Sequence, residues 1–182
     1  MNRTDRTPSA VFDGAWSVFL IVASTTGSLI LACATPFAAM AAVAAATLSP
    51  RLALITVLGV WLGNQAVGFL LLDYPLTASS LTWGPALGGA ALLATAAAIR
   101  VAGQFDRADI RRWVAVFAAA LVVQQGVVLA AGVLEGSASL NVAAAVSALN
   151  TVWALGLAVL HRILTGRALG LPATQIDGVG KA

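Results

Sequence analysis

The chain has 182 residues, of which 60% are hydrophobic and only 9% are charged. Soluble domains carry about 25% charged residues, so this composition excludes an ordinary soluble protein. It predicts a single-domain, all-α integral membrane protein. In such a protein the net charge of +3 reflects where cations lie relative to the bilayer, and we expect no nucleic-acid partner.

Six apolar segments follow one another along the chain, and a helix needs about 20 apolar residues to cross about 30 Å of hydrocarbon. The second segment is short and follows a Thr35-Pro36 break. Residues 1–14 precede the bundle as a cytoplasmic segment, residues 15–164 form the transmembrane domain, and residues 165–182 form a loose cytoplasmic tail. The predicted membrane helices span residues 15–34, 36–48, 50–72, 81–102, 112–134 and 140–164.

Prolines and polar residues mark several helix starts. Thr35-Pro36 and Ser49-Pro50 each place a hydroxyl before a proline, which is typical of a capped helix whose first residue is proline. Asp106 or Asp109 is the candidate cap of the fifth helix.

All ten Lys and Arg residues fall in or beside segments that are cytoplasmic if both termini lie inside. The outer connections contain no cation, only Asp73 and Glu135. The positive-inside rule therefore predicts six spans with both termini in the cytoplasm, in a bacterial inner membrane. The ten cations are Arg3, Arg6, Arg51, Arg100, Arg107, Arg111, Arg112, Arg162, Arg167 and Lys181.

Small residues recur at four-residue spacing in three segments, which lets helices approach closely. The spacing fits packing within the bundle, and it also fits a docking face for a partner subunit. The three ladders are Ala38, Ala42 and Ala46; Gly59 and Gly63; and Gly84 and Gly88.

Polar and aromatic side chains at membrane depth are candidates for a ligand site, because such groups face the bundle interior. We expect them to line one cavity that opens outward, with Tyr74, Asp73 and Trp83 at its mouth. The alternative is a set of hydrogen bonds that only holds the helices together. Adjacent amides cannot point the same way on a helix, so one of each pair packs elsewhere. The candidates are Thr35, Asn64, Gln65, Tyr74, Trp83, Gln125 and Asn150, with Gln124 next to Gln125.

The only cysteine, Cys33, lies beside the helix break at the predicted outer end of the first span. It is either a small buried apolar residue or a thiolate ligand for a metal carried by a substrate. Ala32-Cys33-Ala34 also has the small-x-small form of a signal-peptidase site. Asp5, Asp13 and the length of the apolar run argue against cleavage there.

No catalytic constellation is visible in the sequence. The only histidine, His161, lies near the predicted inner end of the last helix. A lone histidine argues against a permease built on several histidines and against a Ser-His-Asp hydrolase. The chain also has no Gly-rich phosphate loop, HExxH or CxxC. We therefore expect a protein that is not an enzyme and has no cofactor of its own.

Six spans with a short second helix after a break, in a chain of this length, resemble the substrate-binding S-components of energy-coupling-factor (ECF) vitamin transporters. Residues 36–69, PFAAMAAVAAATLSPRLALITVLGVWLGNQAVGF, are similar to the second and third helices of that group. The single cysteine near the outer mouth resembles the BtuM family of vitamin B12 transporters. The resemblance implies an S-component-like bundle that takes up cobalamin, with Cys33 as cobalt ligand.

One feature departs from the group's pattern. S-components carry an Ala-x-x-x-Ala signature in the first helix that docks the coupling subunit, whereas the first span here has only Ala23-x-x-x-Gly27. The expected partners are therefore the lipid bilayer and a small-molecule vitamin, with dependence on an ECF energising module left open. The alternatives are another vitamin with Cys33 merely packed, or a non-transport scaffold protein.

Overall fold

In the computed structural model, which describes residues 8–30, 35–106 and 109–166, every regular element is a helix. Helix α3 continues directly into a π-helical segment, Val67–Leu71. The predicted segments match these helices closely, although α1 begins at residue 8 rather than 15 and α4 at residue 78 rather than 81. The helices are α1 (Pro8–Ile30), α2 (Phe37–Thr47), α3 (Pro50–Ala66), α4 (Ala78–Ala102), α5 (Ile110–Leu134) and α6 (Leu140–Leu164).

Five of the described helices are long and apolar enough to cross a membrane. Helix α2 has 11 residues, or about 16 Å at 1.5 Å per residue, which is too short to cross about 30 Å of hydrocarbon. The prediction of an all-helical, membrane-type protein is confirmed to this extent. The sixth crossing and the cytoplasmic position of the termini stay predictions.

The short helix α2 runs back along α1. The hydroxyl oxygens of Ser28 and Thr35 lie 2.6 Å apart near the end of α1. Near the start of α1, the indole Nε1 of Trp16 donates to Thr47 Oγ1 at 3.1 Å. Residues 35–47 are therefore antiparallel to α1 and return the chain to the end of the bundle where α1 began, which is where α3 starts.

Helix α2 is the centre of the bundle. It contacts all five other helices, and every residue from Phe37 to Ala45 is buried. Consecutive long helices from α3 to α6 are neighbours, α1 packs on α3, and Trp153 of α6 lies against Gly27 of α1. The long helices thus form a ring around α2, whose small side chains allow them to approach closely.

The ladders of small residues pack within this bundle. A Cβ atom at Gly88 would lie 2.7 Å from the ring of Trp61 on α3, and one at Gly84 would lie 2.8 Å from another α3 side chain. Gly59 and Gly63 face α1 in the same way. The alanine ladder belongs to the central α2. These contacts favour the bundle-packing interpretation over a docking face for a partner.

The outer surface and the two ends differ in chemistry. Large apolar side chains point outward along the helices, including Ile55 (61% exposed) and Val122 (71% exposed), as on a lipid-facing surface. At one end of the bundle α3 and α5 begin and α4 and α6 end. All described arginines lie there, so we call it the arginine end. Asp73 and Glu135 lie at the other end, which we call the opposite end. These features are those of a multi-pass membrane protein.

The predicted helix starts are confirmed at α5, confirmed in position but without a capping bond at α3, and wrong at α2. Asp109 caps α5 by accepting the backbone N–H of Arg111 at 2.8 Å. Pro50 is the first residue of α3 as predicted, but Ser49 makes no side-chain capping bond. At α2 the N-cap position is occupied by Pro36, and its side chain makes no capping bond. The Thr35 hydroxyl bonds instead to Ser28 of α1 and Asn64 of α3.

Candidate functional site

A cavity of about 300 Å³, which we call the main cavity, lies between α4, α5, α6 and the start of α2. It extends from the α5–α6 connection at the opposite end, at Ser139, to Asn150 in the middle of α6. That distance corresponds to about 16 Å along the helix. None of its described lining residues is ionisable, and most are apolar. The main cavity therefore suits an uncharged molecule better than an ion.

Asn150 joins α6 to the start of α2 at the deep end of this cavity. Its Oδ1 accepts the backbone N–H of Ala39 at 2.9 Å, and its Nδ2 donates to Val146 O at 2.8 Å. The first backbone N–H groups of a helix have no partner within the helix, so this side chain acts as a cap supplied by another helix. It holds the positive end of the α2 dipole at the cavity floor.

The adjacent amides Gln124 and Gln125 both line the main cavity but differ in their bonding. Gln125 Nε2 donates to Ala143 O at 3.1 Å and to Ser147 Oγ at 2.9 Å, so it links α5 to α6. Gln124 is 4% exposed, and its Oε1 has no hydrogen-bond partner among the described residues. Gln125 is thus occupied by the bundle, whereas Gln124 keeps an acceptor without a partner.

A second set of polar side chains binds α1, α3 and the segment before α2 together. Asn64 Nδ2 donates to Thr35 Oγ1 and, at 3.3 Å, to Ser28 Oγ. Gln65 Nε2 in turn donates to Asn64 Oδ1 at 3.3 Å. Asn64 is buried, and its bonds run between helices. Its described contacts are those of a structural residue.

A smaller cavity of about 220 Å³, the side cavity, lies between α3, the π-helical segment and α4. Its lining includes Asn64, Gln65 and Tyr74. Trp83 and Leu87 line both cavities and separate them. The single predicted cavity is therefore divided into two by one aromatic and one aliphatic side chain of α4.

Trp83, which lines the main cavity, also links two helices at the opposite end. Its Nε1 donates to Glu135 Oε2 at 2.6 Å, and Ser79 Oγ lies 3.4 Å from the same oxygen. Glu135 follows the last residue of α5. This contact ties the start of α4 to the end of α5.

The predicted site residues therefore fall into two groups. Thr35, Trp83, Gln125 and Asn150 line the main cavity. Asn64, Gln65, Tyr74 and again Trp83 line the side cavity. Cys33 lies outside the described residues, so its position and its role as a cobalt ligand stay predictions.

From the sequence, Gln124 is named only as the neighbour of Gln125, and one amide of the pair is expected to pack elsewhere. That expectation is wrong here, since both residues line the main cavity. Two consecutive glutamines on one apolar helix carry no local signal that separates them. The difference comes from α6, whose Ser147 and Ala143 take up the amide of Gln125.

No three His, Cys, Asp or Glu side chains come together as a metal site in residues 8–30, 35–106 and 109–166. Comparison of the chain with protein-family models, with curated proteins and with solved structures gives no significant match.

Proposed function

We propose that the protein binds a small, uncharged organic molecule in the main cavity and serves as the substrate-binding part of an uptake system. The observation that carries the proposal is the shape of this cavity. It reaches from the opposite end of the bundle to the middle of α6 and ends on the start of the short helix α2. Apolar walls with a few convergent polar groups are typical of small-molecule sites, and transporters use broken helices at such a depth.

The direction of uptake follows from the charges. The described arginines lie at the arginine end, which the positive-inside rule predicts to be cytoplasmic. The main cavity then faces the exterior and is placed to capture a molecule from outside. Its size supports a vitamin-sized ligand, because small-molecule sites occupy about 300–1,000 Å³.

Cobalamin is the specific substrate that the sequence resemblance suggests. Thr35, two residues after Cys33 in the chain, lines the main cavity, which supports Cys33 as a ligand for the substrate cobalt. A corrinoid is larger than the present cavity, so its binding requires the helices around the cavity to move apart. Only Asn150 and Leu157 of α6 are buried, which makes α6 the helix best suited to move. The volume itself favours a second candidate, a smaller vitamin.

The experiment is equilibrium binding of labelled vitamins to the full chain in lipid nanodiscs. Val146 lines the main cavity, so Val146→Trp fills it. Val152, on the same helix, is 69% exposed, so Val152→Trp is the matched control. We expect one vitamin to bind the native chain and Val152→Trp equally, and to bind Val146→Trp about tenfold or more weakly. Equal binding to all three proteins would show that the main cavity is not the site.

The cobalamin arm uses the visible spectrum of bound corrinoid with the native chain and with Cys33→Ser. A ligand-field shift that disappears in the variant identifies Cys33 as an axial ligand. Binding with the same spectrum in both proteins would mean that Cys33 is not a cobalt ligand and only packs in the protein. The absence of bound corrinoid in both eliminates cobalamin and leaves the smaller vitamin.

A further inference from the structure

Gln124 presents a buried acceptor that nothing in the described protein satisfies. Its side chain is 4% exposed, it lines the main cavity, and its Oε1 has no hydrogen-bond partner among the described residues. Buried polar atoms in folded proteins are nearly always bonded, so an exception calls for an explanation. A ligand that brings an N–H or O–H donor into the cavity provides one.

The start of α2, at the same cavity, favours a hydrogen-bond acceptor on the ligand rather than a donor. The α2 helix has 11 residues, and its first residue, Phe37, lines the cavity together with Asn150. Aligned peptide dipoles place about half a positive charge at a helix N-terminus, which favours a ligand oxygen with a partial negative charge. Since the Ala39 N–H is already bonded to Asn150, α2 acts on the ligand mainly through this field.

The ligand group must nevertheless be neutral. No described lining residue of the cavity is ionisable, so neither a carboxylate nor an ammonium group would meet a full opposite charge there. Moving an unpaired ion into an apolar cavity is strongly unfavourable. The ligand must therefore offer an uncharged donor to Gln124 and an uncharged acceptor to the start of α2.

A carboxamide or a lactam has this combination. Its N–H and C=O point in different directions, so one can meet Gln124 while the other faces the start of α2. A ketone or ester has no donor, and a hydroxyl must serve both partners from a single oxygen. Building on the proposed function, we propose that the deep end of the main cavity recognises a neutral amide group of the substrate, with Gln124 as its acceptor.

The test compares two fluorinated probes of nearly the same shape, 4-fluorobenzamide and 4-fluoroacetophenone. The second has a methyl group where the first has its NH₂ donor. Fluorine-19 NMR titrations use the full chain in nanodiscs, and discs with Val146→Trp serve as the blank for partition of the probes into lipid. Gln124→Met removes the acceptor, and Gln104→Met, at an exposed position at the arginine end, is the matched control.

We expect the native chain and Gln104→Met to bind the amide about five- to tenfold more tightly than the ketone, as one additional hydrogen bond allows. Gln124→Met should bind both probes equally, with its affinity for the ketone unchanged within about twofold. A melting temperature of Gln124→Met at or above that of the native chain would show that this variant is folded.

Two results would overturn the inference. A preference for the amide that survives in Gln124→Met means that Gln124 is not the acceptor. Equal binding of both probes to the native chain, blocked by Val146→Trp, removes the amide preference but leaves the main cavity as a binding site. Absence of binding above the Val146→Trp blank also rejects the amide, and the vitamin panel then decides separately whether the proposed function stands.

Discussion

Gln124 and Gln125 are neighbours in sequence, yet we expect their replacement by Met to change the free energy of unfolding in opposite directions. Met has nearly the length of Gln and no strong hydrogen-bonding group, so each substitution removes polarity with little change in volume. The pair therefore compares a bonded amide with an amide whose carbonyl is unpaired, at one depth of one helix.

The magnitudes follow from the bonds of each side chain. Gln125→Met loses the donations to Ala143 O and Ser147 Oγ. Interhelical hydrogen bonds in membranes contribute about 0.6 kcal/mol each, so the loss is about 1 kcal/mol. Gln124→Met removes a buried carbonyl that has no partner among the described residues, and burial of such a group costs about 1–3 kcal/mol. We expect a gain of about 1 kcal/mol and a difference of about 2 kcal/mol between the variants, close to 30-fold in the unfolding equilibrium.

The assay is reversible unfolding in mixed micelles of a mild detergent and dodecyl sulfate, followed by far-ultraviolet circular dichroism. An unchanged slope of the transition shows that the substitutions act on stability rather than on the unfolding reaction itself. Equal destabilisation of the two variants would refute the reasoning, since it would mean that the carbonyl of Gln124 is satisfied in the native protein.

Three further predictions test packing, the α2 cap and orientation. Gly88→Ala should cost about 1–3 kcal/mol in the same assay because its Cβ would collide with an indole ring, whereas Gly89→Ala, with nothing within 4 Å, should be neutral or slightly stabilising. Asn150→Leu should lower stability by about 1–3 kcal/mol by leaving a buried N–H of α2 unpaired. In a cysteine-free background on intact cells, an impermeant maleimide should label Ser137→Cys and not Gln104→Cys.

Each of these predictions has a clear contrary result. If Gly88→Ala and Gly89→Ala lower the free energy of unfolding equally, the close contact of α4 with α3 does not depend on Gly88. If the Asn150→Leu variant is as stable as the native chain, Asn150 does not stabilise α2 as an interhelical cap. Labelling at position 104 alone would show that the orientation is the reverse of the predicted one. The main cavity would then open toward the cytoplasm.

Much of the helical organisation could be predicted because it depends on local properties of the chain. The length of an apolar run is limited by the thickness of hydrocarbon that it matches, and α6 begins and ends at the residues predicted for it. Pro50 starts α3 and Asp109 caps α5, since the fixed φ of proline and the short acceptor of aspartate act within one turn. The shortness of α2 was equally visible, because the helix break and the next proline enclose it.

The positions of α2 and of the amides were decided only by tertiary structure. A short alanine-rich helix carries no mark that it will be surrounded by five others. The residue that caps α2, Asn150, is 111 positions away from Ala39. The Thr35 hydroxyl, predicted as a cap, bonds to Ser28 and Asn64 because helix packing brings them within reach.

The same limit applies to the candidate site. Apolar side chains on a helix show how far the helix extends. In a membrane bundle both the lipid-facing and the inward-facing surfaces are apolar, so the pattern does not distinguish them well. Whether a glutamine is bonded or unpaired depends on which residues of the next helix lie opposite it. The sequence by itself determined the helices and the distribution of charge between their ends. The packing of α6 on α5 decided that Gln125 links the two helices, while Gln124 lines the main cavity with a carbonyl that has no partner among the described residues.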